Sequence, residues 1–188
     1  LAGPLFLSFD KKVAFYKKWK YLFPAMLLPA MFYIIWDIIF TEKNVWSFNS
    51  SYITGIHLVN LPIEEVLFFI VVPYCCLFIY ECIRCYFPKI SNKSIAPYLL
   101  ATVAALLLVT GLIMYKRAYT SVTFILTASF IFIVLWKKKF FTGFDSTSFL
   151  ASYLIILIPF LIVNGFLTAI PVVLYNDAEN LGIRIYTI

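Results

Sequence analysis

The residues of this chain that are best suited to chemistry are three carboxylic acids, the adjacent pair Glu64 and Glu65 and the isolated Asp37. All three lie within or beside long apolar segments, where a charged side chain costs about 2.5–3.5 kcal/mol on insertion scales and therefore needs a reason to be there. The glutamates follow Pro62 and precede the apolar and aromatic residues 66–69. A carboxylic acid that stays protonated beside aromatic rings can protonate an alkene, and the ring faces stabilise the resulting cation. The pattern indicates acid–base chemistry on an apolar, unsaturated substrate.

A structural role for the two glutamates is the alternative. Pro62 is typical of the start of a helix, and acidic side chains in a first helical turn interact with the positive end of the helix dipole, which stabilises the helix by a few tenths to about 1 kcal/mol. Adjacent residues on a helix point about 100° apart, so only one of the two acids can serve well as a cap. We expect Asp37 to emerge on the same side of the protein, which favours a shared functional site.

The elements that position these acids are membrane helices. Hydrophobic residues make up 63% of the 188 residues and charged residues only 13%, whereas a soluble domain has about 25% charged residues. Long apolar runs predict five membrane spans, at residues 21–40, 62–85, 95–115, 118–136 and 149–170. The sequence thus predicts an all-α, multi-spanning membrane helix bundle and excludes a soluble enzyme. The net charge is +6, but the sequence predicts no folded polar face on which basic residues could bind nucleic acid.

Most of the 15 basic residues fall in three short loops, at residues 10–20, 84–93 and 137–139. These loops share one side of the membrane when every predicted span crosses it. Because short basic loops stay in the cytoplasm, the pattern predicts that they lie on the cytoplasmic side of the cell membrane and that loops 41–61 and 171–188 lie outside.

The two outer loops and the helices before them resemble each other. A shift of 127 residues without a gap pairs Asp37 with Asn164 and Asn49 with Asn176. Copies that lie four helices apart have the same orientation, so we expect a parallel repeat. The expected organisation is a first repeat at residues 1–85, a linker helix region at 86–117 and a second repeat at 118–188. We expect that these residues lack most of the first helix of the first repeat and the last helix of the second, so that an intact form would have seven helices, three in each repeat and one linker.

Four stretches of the chain form a distinctive motif. They are residues 36–41 (WDIIFT), 45–49 (VWSFN), 55–56 (GI) and 61–69 (LPIEEVLFF), and residues 176–188 look like a second copy. In this order they resemble the lycopene cyclase domain family, the small membrane-integral cyclases that occur as two three-helix subunits or as one fused chain. The resemblance covers most of the chain.

The resemblance implies an isomerase or intramolecular lyase that closes the open ψ-ends of lycopene into β-rings, with no net redox change and no cofactor. Glu64 and Glu65 then take the acid and base roles, in an order that the sequence leaves open. The residues expected to contact the substrate or support the acids are Asp37, Asn49, Phe68, Phe69, Asn164 and Asn176. The single histidine, His57, has no second ligand with which to form a metal site. The chain departs from the family by ending before the second acidic pair.

Two other functions stay open at this stage. A carotenoid- or lipid-binding membrane protein would keep the fold without catalysis. A small proton-coupled transporter would use a carboxylate near the middle of the membrane, whereas the acids of this chain lie near the outer boundary. The expected partners are an acyclic carotenoid and membrane lipid rather than nucleic acid, and the sequence does not tell a monomer from a homo-oligomer.

Overall fold

The computed structural model describes residues 1–90, 95–137 and 139–179, and its architecture is helical. Its helices are α1 (Ala2–Leu7), α2 (Trp19–Glu42), α3 (Ile63–Tyr86), α4 (Ile95–Ile113), α5 (Ala118–Trp136) and α6 (Ser146–Ala169). Helices α2 to α6 are long and apolar enough to cross a membrane. The prediction of an all-α, multi-spanning membrane bundle is confirmed, and the predicted spans agree with the helices to within a few residues.

The ends of the helices follow local sequence signals. Asp145 caps α6, because its carboxylate accepts the backbone N–H groups of Thr147 and Ser148, each at 3.2 Å. Pro62 immediately precedes α3, whose first turn contains both glutamates. Prolines also lie inside α2, α3 and α6, as membrane helices tolerate better than soluble ones.

Helix α3 is central to the packing, since it contacts both α2 and α6, while α4 and α5 form a tight hairpin beside them. Helices α3 and α6 are antiparallel. The start of α3 lies near the end of α6, where Glu65 and Leu167 line a common cavity. At the opposite end, the backbone N–H of Asp145 donates to the hydroxyl of Tyr80 at 2.8 Å.

One end of the bundle, here called the basic end, carries the lysine-rich loops and a small aromatic core. The core consists of Phe15, Met26, Tyr74 and Phe78, of which Phe15 is only 1% exposed. At this end Glu81 of α3 forms an ion pair with Lys18, the residue before α2, at 2.6 Å, and another within its own helix with Arg84 at 3.8 Å.

The opposite end, here called the strand end, is closed by short strands that the sequence analysis did not predict. Strand β1 (Trp46–Phe48) pairs with β4 (Val173–Tyr175), and β2 (His57–Leu58) pairs with β3 (Leu61–Pro62), both antiparallel. The β1–β4 pair joins the segment after α2 to the segment after α6, although more than a hundred residues separate them in the chain. Long-range pairing of this kind leaves no local sequence signal.

The strand end has a regular internal correspondence. Helices α2 and α6 each have 24 residues, and both bounds of α6 lie 127 residues after those of α2. The backbone N–H of Asn49 donates to the carbonyl of Val172 at 3.0 Å, and that of Asn176 donates to Val45 at 2.9 Å. These two bonds are related by the same shift of 127 residues, so the two segments contact each other symmetrically about the β1–β4 pair.

Candidate active site

A cavity of about 280 Å³ lies at the strand end, enclosed by α2, α3, α5, α6 and the β1–β4 pair. Its lining combines two carboxyl groups with an unusual number of aromatic rings. The aromatic residues that line it are Tyr33, Trp36, Trp46, Phe48, Phe68, Phe69, Tyr119, Phe160 and Tyr175. The carboxyl groups belong to Asp37 on α2 and Glu65 on α3.

Asp37 is deeply buried, with 2% of its surface exposed. Its Oδ1 accepts a hydrogen bond from the indole Nε1 of Trp46 at 2.5 Å and a longer one from the Oγ1 of Thr41 at 3.3 Å. Its Oδ2 is buried and has no hydrogen-bond partner among the described residues. Buried polar atoms are nearly always paired in folded proteins. One carboxyl oxygen is therefore held in place, while the other is free to meet a ligand.

The two glutamates point in different directions. Glu65 is half-buried and lines the cavity, where its side chain is close enough to that of Asp37 for the two to interact electrostatically. Glu64 is exposed, lies outside the cavity lining, and accepts the backbone N–H of Thr54 at 2.8 Å. The divergence follows from the turn of about 100° between successive helical residues. Of the two glutamates predicted for the site, the cavity therefore contains Glu65, together with Asp37, and not Glu64.

The aromatic residues form a connected wall around the acids. Trp36 stacks on Phe40 at a centroid distance of 4.9 Å, and Phe40 stacks on Trp46 at 5.4 Å. One turn earlier on α2, Tyr33 stacks on Phe69 of α3 at 6.1 Å. Ring faces attract cations electrostatically and offer no nucleophile. The wall is therefore suited to surround a carbocation.

Several hydroxyl and amide groups complete the lining. Asn164 lies there, as expected for the counterpart of Asp37, and its Nδ2 donates to the carbonyl of Phe160 at 3.2 Å. The hydroxyl of Thr123 is buried without a hydrogen-bond partner among the described residues. Burial raises the pKa of the Tyr175 hydroxyl, so this group stays neutral and contributes a dipole rather than a charge.

Two predicted site residues lie elsewhere. Asn49 and Asn176 are absent from the cavity lining. The side chain of Asn49 accepts the backbone N–H of Ser51 at 3.0 Å, and that of Asn176 accepts the N–H of Ala178 at 3.0 Å. Both therefore shape turns that flank the strand pair. The end of the second motif copy, at residues 180–188, lies outside the described residues.

Several lining residues were missed by the sequence analysis, among them Tyr119, Thr123, Phe160 and Tyr175. A signal for two of them was present. Tyr119, Thr123 and Thr127 recur every four residues along α5 and so form a polar stripe on a membrane helix, which is a marker of function at membrane depth. Among the described residues, no three His, Cys, Asp or Glu side chains group as metal ligands.

The fold and the cavity define a class of protein, a membrane helix bundle that buries a pair of carboxyl groups among aromatic rings. The family is more specific. The model of the family described as lycopene cyclase matches residues 1–83 and 116–188, and the chain belongs to this family. Family membership supports a role in carotenoid cyclisation. No curated protein and no solved structure gave a significant match.

Proposed function

We propose that the protein is a membrane enzyme that closes the ψ-ends of lycopene, or of a related acyclic carotenoid, into β-rings by proton transfer. The observation that carries this proposal is the convergence of Asp37 and Glu65 in one aromatic cavity. The reaction is an isomerisation, because one proton enters the substrate and one leaves it. Two carboxyl groups that share one proton have the capacity for both transfers.

In the proposed reaction, a carboxylic acid first protonates the terminal double bond of the ψ-end. The π electrons of that bond form the new C–H bond, and the positive charge falls on the more substituted carbon. The nearby internal double bond attacks this carbon, which closes the ring and moves the charge into it. A carboxylate then removes a proton from the adjacent ring carbon, and the electrons of that C–H bond form the ring double bond.

We assign the acid role to Glu65 and the base role to Asp37. Asp37 accepts hydrogen bonds from Trp46 and Thr41 through one oxygen, and such donors stabilise a carboxylate. Glu65 receives no hydrogen bond from the described residues in its half-buried position, which suits a neutral acid. Since two negative charges in one apolar cavity repel each other strongly, the resting pair would hold a single proton.

The aromatic wall would act on the intermediate. Trp36, Tyr33 and Phe69 present ring faces within contact distance of one another, and a desolvated cation over such a face gains about 2 kcal/mol. Exclusion of water matters equally, because water would trap the cation as an alcohol. The apolar lining supports formation of an alkene product.

The two halves of the chain are proposed to be related copies, at residues 1–85 and 118–188, joined by the region 86–117. The equivalent bounds of α2 and α6 support this relationship. In the shared cavity, the position of Asp37 in the first half corresponds to Asn164 in the second. The copies would thus contribute unequal groups to one site, an acid from one and an amide from the other.

We propose further that the basic end faces the cytoplasm, because short lysine-rich loops are retained there. The strand end and its cavity would then lie toward the outer face of the cell membrane. Acyclic carotenoids are themselves membrane-soluble, so the substrate would reach the cavity through the bilayer.

The test is pigment analysis of a lycopene-accumulating bacterium that expresses the full-length protein. We expect monocyclic or bicyclic carotene to appear. The Glu65→Gln variant should lower the rate of formation by about 10²–10⁴-fold, the usual contribution of general acid–base catalysis. Glu64→Gln should stay within about threefold, since its amide oxygen can still accept the N–H of Thr54.

Two outcomes would overturn the proposal. Unchanged lycopene beside well-expressed, membrane-inserted protein would exclude the proposed reaction. If Glu64→Gln abolished cyclisation while Glu65→Gln did not, the proton transfer would belong to the exposed glutamate and the assignment to Glu65 would be wrong.

A further inference from the structure

A second cavity, of about 470 Å³, lies between α3 and α6, nearer to the basic end than the carboxyl cavity. Its lining includes Val72, Cys76 and Tyr80 from α3 and Ser152, Ile156 and Phe160 from α6. None of the steps proposed above uses this space.

The two cavities adjoin each other at Phe160. Phe160 lines both of them, and each helix contributes one uninterrupted face. Along α3, the lining residues Glu65, Phe69, Val72, Cys76 and Tyr80 recur at intervals of three or four, the spacing of one helical face. The rise of 1.5 Å per residue makes this face about 22 Å long from Glu65 to Tyr80.

The matching face of α6 runs in the opposite direction. Its lining residues Phe149, Tyr153, Ile156, Phe160 and Asn164 show the same spacing. Because the helices are antiparallel, the two faces lie opposite each other from the carboxyl cavity to the basic end. The two facing surfaces, with the cavities between them, are here called the α3–α6 groove.

The second cavity is apolar in a way that the first is not. The Tyr80 hydroxyl accepts the backbone N–H of Asp145 at 2.8 Å. The Ser152 hydroxyl donates to the carbonyl of Ser148 at 2.6 Å. These two hydroxyls are thus already engaged, and the third hydroxyl-bearing residue of the lining, Tyr153, is largely exposed. The first cavity, in contrast, contains the buried, unpartnered Oδ2 of Asp37. The second cavity is built for a ligand without polar groups.

The groove is also accessible from the side. Tyr153, on its rim, is 54% exposed. In a membrane this exposure faces lipid, from which an elongated apolar molecule can enter without crossing water.

From the two adjoining cavities and the aligned helix faces we propose that the α3–α6 groove holds the extended polyene chain of the substrate, with one ψ-end at Glu65 and Asp37 and the chain running past Phe160 into the second cavity. This inference rests on the proposed function. It specifies the substrate as a long linear polyene rather than as any isoprenoid that carries a ψ-end. The groove would set which carotenoids are accepted, and the carboxyl cavity would carry out the chemistry.

Two adjacent isoleucines on α6 provide a matched test. Ile156 lines the second cavity, whereas Ile155 is 45% exposed and outside it. In proteoliposomes, Ile156→Trp should lower kcat/KM for lycopene by about tenfold or more, since loss of a few apolar contacts in a pocket has effects of this size. Ile155→Trp should stay within about threefold. Cys76→Phe, on the facing helix, provides a second variant if Ile156→Trp does not fold.

The substrate length separates a blocked groove from a damaged site. A short apocarotenoid with the same ψ-end, which reaches the carboxyl cavity but not the second one, should be turned over equally by the parent and by Ile156→Trp. Equal losses on both substrates would indicate distortion of the carboxyl cavity and would overturn the proposal. A parental kcat/KM for lycopene in the Ile156→Trp variant would also overturn the proposal, because the second cavity would then not hold the substrate chain.

A binding measurement distinguishes failure of this inference from failure of the proposed function. In the Glu65→Gln background, the protein should retain lycopene through purification, as detected by its absorption spectrum. Addition of Ile156→Trp should reduce the retained amount by about tenfold, while Ile155→Trp should not. If Ile156→Trp does not change the amount of lycopene retained, the proposal for the α3–α6 groove is wrong, whether or not the parent protein is a cyclase.

Discussion

The hydrogen bond between Trp46 and Asp37 provides the sharpest prediction about the site. Trp46→Phe removes the indole N–H that lies 2.5 Å from Oδ1 but keeps an aromatic ring. That ring can still stack on Phe40 and meet the edge of Tyr119. The substitution therefore tests the donor rather than the aromatic surface.

The size of the expected effect follows from the burial of Asp37. A hydrogen bond to a charged group contributes about 1.5–3 kcal/mol, and the only other described donor to this oxygen is the 3.3 Å contact from Thr41. If this free energy positions the base in the transition state, then at about 1.4 kcal/mol for each factor of ten, kcat falls by about 10- to 150-fold. Thr41→Val should cause a smaller loss, because the contact that it removes is longer.

The assay is cyclisation of lycopene in proteoliposomes, with products separated by chromatography and rates normalised to inserted protein. Trp136→Phe is the matched control, since Trp136 is largely exposed at the far end of α5. Because Trp46 acts through Asp37, Trp46→Phe should also alter the pH dependence of kcat, and the control should not. A parental rate and pH profile for Trp46→Phe, in a stably folded variant, would refute the role of this hydrogen bond. A greater loss from Thr41→Val than from Trp46→Phe would refute the ranking of the two donors.

Two further predictions concern stability. Gly111→Val should lower the free energy of unfolding by about 1–3 kcal/mol through overpacking, because even a Cβ at this position would lie 3.0 Å from the Cγ1 of Ile125. The measurement is thermal unfolding. The control is Leu112→Val at the neighbouring exposed position, which should have little effect in the same assay. The backbone N–H of Val13 and the hydroxyl of Tyr86 lower the pKa of the partly exposed Asp10 carboxyl from its ordinary value of 3.8. The stabilising effect of this carboxylate is therefore present above pH 3.8 and is lost as the pH falls through the lowered pKa. Asp10→Asn should therefore lower Tm at pH 7, with a difference from the parent that shrinks near pH 3, and an equal difference at both pH values would contradict this linkage.

The helical part of the fold was predictable from sequence because a membrane imposes one strong constraint on each span. A helix that crosses the bilayer needs about 20 apolar residues, so the length and composition of each run determine it without knowledge of its neighbours. The predicted span 118–136 coincides with α5, and 62–85 differs from α3 by one residue at each end. The short helix α1 and the short strands were not predicted; β1 and β4 in particular acquire their partners across most of the chain.

The sequence predicted the kind of chemistry at the candidate site but not all of the residues that line it. The sequence indicated buried carboxylic acids among aromatic rings, since ionisable residues in apolar segments are conspicuous. The sequence could not decide whether Glu64 or Glu65 faces the cavity, because the direction of each side chain depends on how α3 is rotated against α2 and α6. The same dependence explains why Tyr175 and Phe160 were missed. Tyr175 lies in a strand and Phe160 in a helix, and only the folded structure brings them to the cavity that contains the acids.

The sequence by itself thus determined the class of the protein, its membrane helices and the kind of chemistry that its acids permit, because each of these depends on local composition. The tertiary structure alone decided that Asp37, rather than Glu64, accompanies Glu65 in the cavity. It also decided that a second, apolar cavity adjoins the first at Phe160, between α3 and α6. Both properties arise from how separate helices are rotated and paired, and that arrangement is set by contacts between residues distant in the chain.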